Sequence, residues 1–212
     1  MLLAAGRGER MRPLTDQTPK PLLIVRGKPL IVHHLERLAR SGVHEVVINL
    51  CWLGASIRAA LGDGSAWGIS IHYSDEGPVA LETGGGILRA LPWLGNEPFL
   101  VVNADVYTDF DFASLRISPD AWARLLLVPN PAHHPDGDFA LARDLVVAQG
   151  GPRWTYAGIG LYRPQLFGGC QDGRFALLPL LQRAIAAGRL QGEVYRGHWS
   201  DVGTLDRLAS LQ

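Results

Sequence analysis

Arg7, Arg10, Arg12 and Lys20 crowd into the segment LAAGRGERMRPLTDQTPKPL, behind a short apolar run and among Gly6 and Gly8. Glycines let backbone N–H groups approach an anion closely, and a helix start behind them would add a favourable dipole. This composition suits a polyphosphate: Gly6 and Gly8 would bring the backbone close, with Arg7, Arg10, Arg12 and Lys20 as neutralising charge. A lone Gly-x-Gly also suits a tight turn beneath solvated arginines, and the segment is neither a Walker loop nor a GxGxxG fingerprint. What argues for a site is Lys20, whose backbone is restricted on both sides by Pro19 and Pro21, limiting where the cation points.

Anions of that kind need a counter-charge, and the run FLVVNADVYTDFDF carries an apolar strand into Asn103 and Asp105. A carboxylate at the carboxyl end of a strand stands where open α/β sheets bind ligands. Hard cations such as Mg²⁺ take oxygen ligands and are held by one or two carboxylates plus substrate phosphates, so Asp105 is a metal candidate. Asp109 and Asp111 are expected to be solvated or to cap the next turn. A second carboxylate is Asp201 in GHWSDVGTLDRL; alone it would suit a turn or a helix cap. LETGGGI places three glycines at a helix start, which weakens the helix and calls for compensation. Close approach of a flat ligand is one reason; a glycine-rich turn is the other.

The elements that must hold these groups read as alternating strands and helices. LLAA, VVINL, ISIHY, FLVVNAD and LLLV are strand-like; PLIVHHLERLARSG, LGASIRAALG and TGGGILRALPWL are helical, the first two closing at Gly42 and Gly62. Such alternation predicts a Rossmann-like three-layer α/β/α architecture with a mostly parallel central sheet. Beyond it come a Pro/Gly-rich loop (PNPAHHPDGDF), a strand (WTYAGIGLYRP), a helix (FALLPLLQRAIAAG) and a closing strand, turn and short helix. With no repeat, low-complexity tract or linker, residues 1–212 read as one domain.

Composition narrows the function classes. Lys+Arg and Asp+Glu are both 20, giving zero formal net charge, so no nucleic-acid or anionic-membrane partner is advertised. Cys51 and Cys170 stand alone without histidines at metal-ligand spacing, which argues against a disulfide framework or zinc site and for a reducing cytoplasm. The opening residues are too short an apolar run for a signal peptide or membrane span.

LAAG at 3 to 6, GERMRPLT at 8 to 15, PKP at 19 to 21 and the closing WSDVGT around Asp201 together resemble the sugar-phosphate nucleotidylyltransferase family. The resemblance implies the nucleotide-diphospho-sugar transferase type of fold. It also implies transfer of a nucleoside monophosphate from a nucleoside triphosphate to a sugar 1-phosphate. Arg10 would stabilise the pyrophosphate leaving group, Lys20 would contact phosphates near the reacting phosphorus, Ala4, Ala5, Gly6, Gly8, Glu82, Gly84, Gly85 and Asn103 would bind the nucleotide, and Asp105 and Asp201 would hold Mg²⁺, with Mn²⁺ as the alternative. UTP is the expected donor, with a GTP and mannose 1-phosphate pair as the rival. Relatives begin with more residues before LAAG. Many also carry Val-Glu-Lys-Pro, whose lysine binds the sugar phosphate, where this chain has LVPNP. Asp138, Tyr156 and Gly158 are the acceptor candidates. Two readings from other classes are an inactive nucleotide-binding module and a glycosyltransferase using a finished nucleotide sugar; the complete set of Arg10, Lys20, Asp105 and Asp201 argues against the first and the LAAG-to-PKP loop against the second.

Overall fold

The computed structural model describes residues Met1–Gln212. Its first half contains β1 (Leu2–Leu3), α1 (Leu14–Gln17), β2 (Ile24–Val25), β3 (Lys28–Pro29), α2 (Leu30–Arg40), β4 (Glu45–Leu50), α3 (Gly54–Leu61), β5 (Ser70–Asp75), α4 (Glu82–Leu94) and β6 (Phe99–Asn103). The second half adds β7 (Val106–Thr108), β8 (Ala123–Val128), β9 (Phe139–Ala142), β10 (Leu145–Val147), β11 (Arg153–Tyr162), α5 (Leu178–Ala186), β12 (Leu190–Val194), β13 (Trp199–Asp201) and α6 (Leu205–Ala209). Nine strands form one sheet in the order β5-β4-β1-β6-β11-β8-β12-β10-β9, and β7 and β13 make a separate antiparallel ribbon.

The expectation of a mostly parallel sheet holds for only half of it. β5, β4, β1 and β6 are parallel neighbours, but β11 lies antiparallel to both β6 and β8, and β9 and β10 form an antiparallel hairpin at the far edge. Parallel neighbours need a long crossover. No helix lies between β8 and β11, and within that stretch the neighbours β8–β11, β9–β10 and β9–β11 all pair antiparallel.

Alternate side chains along the strands feed two separate cores. Leu2, Ile48, Val102 and Ile159 pack with Ile31 and Leu35 of α2 and Ile57 and Leu61 of α3. On the opposite face Val47, Val101 and Leu125 pack with Ile87 of α4 and Leu180 and Leu181 of α5. Each fully buried aliphatic side chain contributes ~1.5–3 kcal/mol, which fixes the sheet and hence the strand ends. A third, smaller cluster joins Met11 and Leu23 of the N-terminal loop to Tyr107, Val202 and Leu211, so the two ends of the chain meet. Cys51 and Cys170 are free thiols, and no helix is long and apolar enough to cross a membrane.

Candidate active site

β1 is only two residues long, yet it is paired on both sides: Leu3 stands opposite Asn49 of β4 and Asn103 of β6. Ala4, Ala5 and Gly6 therefore leave the sheet between two asparagines at the carboxyl ends of parallel strands. Here a cleft of about 490 Å³ opens, lined by Ala4, Ala5, Gly6, Gly8, Arg10, Lys20, Glu82, Asn103 and Asp105 among others.

The loop that forms one wall sorts its cations. Arg7 lies over the Trp52 ring at 4.1 Å and pairs with Asp16 at 3.7 Å; Arg12 Nε pairs with the same carboxylate at 2.9 Å. Those two charges hold the loop. Arg10 is exposed and makes no ion pair, leaving its guanidinium for a ligand. Gly8 has φ 69°, and a Cβ there would meet Thr15 Cγ2 at 3.0 Å, so this glycine is required by backbone and packing alike. Gly6 has nothing within 4 Å of where a Cβ would stand, which leaves open room in the cleft wall. The sequence expectation of a helix start behind the loop needs correction: a 3₁₀ turn at Glu9–Met11 and the four-residue α1 follow instead, so little dipole is available.

Lys20 sits in a 3₁₀ turn, is 8% exposed, and donates from Nζ to Asp105 Oδ2 at 2.5 Å. Asp105 occupies the bend between β6 and β7, and its carbonyl accepts from Val202 N at 2.8 Å. The β7–β13 ribbon sets Asp201 opposite Val106, so the two carboxylate-bearing residues, far apart in sequence, arrive on neighbouring strands. Asp201 lies on the far side of this seam, where it is ion-paired with Arg207 and lies 3.4 Å from His133 Nε2. No cluster of three or more His, Cys, Asp or Glu side chains could cage a metal within the protein. Of the two predicted carboxylates only Asp105 lines the cleft, while Asp201 lines a neighbouring hollow; a hard divalent cation is commonly held by one or two carboxylates completed with water and substrate oxygens.

Two cleft residues carry no motif signature. Ala4 N donates to Asn49 Oδ1 at 2.8 Å, Asn49 Nδ2 donates to Glu76 Oε1 at 2.7 Å, and Leu81 N donates to Glu76 Oε2 at 2.7 Å. Asn49 and Glu76 are 3% and 6% exposed, so this buried chain ties the first loop to the approach to α4. Only the polar Asn49 inside the apolar run VVINL hinted at it.

Several sequence-predicted residues lie elsewhere. Gly84 and Gly85 do not line the cleft: a Cβ on Gly84 would meet the Phe175 ring at 2.6 Å, one on Gly85 would strike the Gly173 carbonyl, and Gly85 N already donates to Phe175 O at 3.1 Å. The compensation for these glycines is therefore close packing of protein on protein. Glu82 does border the cleft, in an ion pair with Arg174 at 2.9 Å. Asp138, Tyr156 and Gly158 are also outside it. The Asp138 carboxylate accepts from Tyr156 N at 2.7 Å and from His134 Nε2 at 3.0 Å; the Tyr156 hydroxyl pairs with that of Tyr162 at 2.8 Å, and burial raises the Tyr156 pKa well above the usual phenol value. Gly158, with φ 72°, lets Asn103 lie against β11, since a Cβ there would be 2.7 Å from Asn103 Nδ2. Asp111 caps its following turn through Ala113 N at 3.0 Å.

Comparison with known proteins adds three findings. The nucleotidyl transferase family profile matches residues 1–125. Over 100% of its length the chain is 52% identical to the N-acetylmuramate alpha-1-phosphate uridylyltransferase of Neisseria meningitidis serogroup B and covers 96% of that protein, whereas a mannose-1-phosphate guanylyltransferase of Mycobacterium tuberculosis is 40% identical over 54% of this chain and 32% of its own length. In three dimensions the chain matches HddC from Yersinia pseudotuberculosis, solved with GMP-PN, at a TM-score of 0.81 and 20% identity, covering 99% of this chain and 96% of that one, a likeness of fold.

Proposed function

The chain belongs to the nucleotidyl transferase family, and from that premise we propose that it transfers UMP from UTP to N-acetylmuramate α-1-phosphate, giving UDP-N-acetylmuramate and pyrophosphate. One observation carries the choice of substrates. The likeness to the uridylyltransferase runs through both halves of the chain, while the guanylyltransferase relative matches only about half of it. A metal-dependent reaction of this kind belongs to cell-wall sugar recycling in the cytoplasm.

In the reaction an oxygen of the sugar phosphate attacks the α-phosphorus in line. One P–O bond forms as the bond to the β-phosphate oxygen breaks, and pyrophosphate leaves without any protein nucleophile. Transfers of this type depend on positioning and on neutralising charge. Ala4, Ala5, Gly6 and Gly8 supply the backbone wall, Arg10 the free cation for the leaving pyrophosphate, and Lys20 a buried cation beside the reacting centre. Asp105 and Asp201 would hold Mg²⁺, which when bound neutralises phosphate charge.

The test is pyrophosphate release with Mg²⁺, crossing UTP, GTP, CTP and dTTP against the 1-phosphates of N-acetylmuramate, N-acetylglucosamine, glucose and mannose. Release with UTP and N-acetylmuramate 1-phosphate is expected. A preference for GTP with mannose 1-phosphate would overturn the substrate pair, and silence with every pair would overturn the enzyme reading.

A further inference from the structure

We infer that Arg207 binds the phosphate of the sugar 1-phosphate, an acceptor-side cation that no motif of the first loop provides. The inference rests on the proposed reaction, in which a sugar phosphate must approach the α-phosphorus from the side opposite the leaving pyrophosphate. Of the loop cations, Arg7 and Arg12 are taken by Asp16 and Trp52, and Arg10 and Lys20 belong to the triphosphate. Another cation is needed for the acceptor dianion. The segment LVPNP does not supply it, and both N–H donors of Asn130 are used, on Pro135 O at 2.9 Å and Arg153 O at 3.2 Å, while its carbonyl accepts from Thr155 Oγ1 at 3.0 Å.

Beyond Asp201 lies a second hollow of about 370 Å³, lined by Pro129, Pro131, His133, Trp199, Asp201 and Arg207 among others. Arg207 stands at the seam between this hollow and the main cleft. Its Nε points to Thr204 Oγ1 at 3.3 Å, its Nη1 lies 2.7 Å from His133 Nε2 and bonds to Asp201, and its side chain is only 18% exposed. Nη2 has no protein acceptor; it lies over Gly203, a main-cleft residue where a side-chain carbon would collide with it. A rigidly held guanidinium with an unspent N–H, aimed across a glycine, is the geometry that binds phosphate. Trp199, held by Nε1 to Ala157 O at 2.9 Å, and the prolines offer the flat apolar wall against which a sugar ring rests.

The test compares wild type with Arg207→Ala and Arg207→Lys. It measures KM for the sugar 1-phosphate and for UTP separately, the Mg²⁺ concentration giving half-maximal rate, and binding of the sugar 1-phosphate alone by calorimetry. Arg207→Ala is expected to raise acceptor KM and Kd by about tenfold or more with UTP KM within about twofold, and Arg207→Lys to recover much of the loss. An unchanged acceptor KM, or a change confined to the Mg²⁺ requirement, would overturn the inference and leave Arg207 as a partner of Asp201 only. Should Arg207→Ala melt at a markedly lower temperature, His133→Ala decides by the same readouts, since it removes the contact on the exposed side of the guanidinium. If wild type prefers a different sugar 1-phosphate, the substrate pair fails while the Arg207 test proceeds with the productive acceptor. If wild type neither turns over nor binds any of them, both readings fall.

Discussion

At the scale of single residues, charge pairing separates the groups that shape the loop from those left for chemistry. Asp105 is the sharpest case, because its carboxylate meets a lysine that is almost fully buried, and a buried cation without its partner is costly. Asp105→Asn keeps an oxygen acceptor for Lys20 Nζ but removes its counter-charge, so the melting temperature should fall while the chain still folds. The lost negative charge should cut kcat by about a hundredfold or more, as removing a preorganised electrostatic group does. Steady-state kinetics beside a thermal melt checks both halves; turnover near the wild-type level would take Asp105 out of the mechanism. Asp105 and Lys20 could be singled out in the sequence because a strand running into a carboxylate and a lysine framed by prolines are local patterns. Asn49 and Glu76 could not, since their roles exist only once β1 and β4 are paired and Ala4 N has found Asn49. Arg207 was illegible for the same reason: one arginine in a short helix acquires meaning only from the Gly203 backbone beneath it and from the distant His133.

Among the elements, α4 shows why glycines alone do not identify a ligand pocket. Three in succession announce that something comes close, but a ring, a carbonyl and a carboxylate from the protein meet that description as well as a nucleobase does. Here they are Phe175, Gly173 and Glu76. Gly85→Ala tests the packing account because two effects oppose each other. Alanine favours a helix by ~1 kcal/mol over glycine, while an added methyl in a packed site costs ~1–3 kcal/mol. The obstacle is a backbone carbonyl that cannot swing aside, so destabilisation should win and urea unfolding should show a net loss of up to about 2 kcal/mol. A variant more stable than wild type would mean that the segment around Gly173 yields freely. The helix ends at Gly42 and Gly62 were readable because left-handed backbone follows both helices, with φ 78° and 57°. The direction of β11 was not, because a strand buried on both faces has the same apolar pattern whether its neighbours run with it or against it.

For the whole molecule, the packing on the α2 side of the sheet encloses a histidine whose titration should influence stability. His34 of α2 is 1% exposed, lies 6.2 Å from the Phe112 ring by centroid, and has no hydrogen-bond partner on either ring nitrogen. Burial lowers its pKa from 6.5 to about 4, opposed by the Val106 backbone and the Asp105 charge and assisted by the positive charges of His33 and Arg37. The folded state thus holds His34 neutral at pH values where the unfolded chain takes up a proton. Proton uptake by the unfolded state makes stability rise with pH. The contribution of His34 is therefore complete above about pH 6.5 and is lost as the pH falls toward 4, at ~1.4 kcal/mol per unit and about 3 kcal/mol in all. Carboxylates titrate over the same range, so the measurement must be a difference between proteins. Leucine at this position fills similar space without unpaired nitrogens, and His34→Leu should have a shallower decline in unfolding free energy between pH 7 and 4.5 than wild type. Parallel curves for the two proteins would show that the acid-sensitive proton binds elsewhere. The outcome also bears on the site, because α2 packs against β7, which follows directly from Asp105. Acid that charges His34 should therefore unseat the ribbon that brings Asp105 and Asp201 together before it unravels the far edge of the sheet, and hydrogen exchange at β7 should quicken ahead of that at β9 and β10.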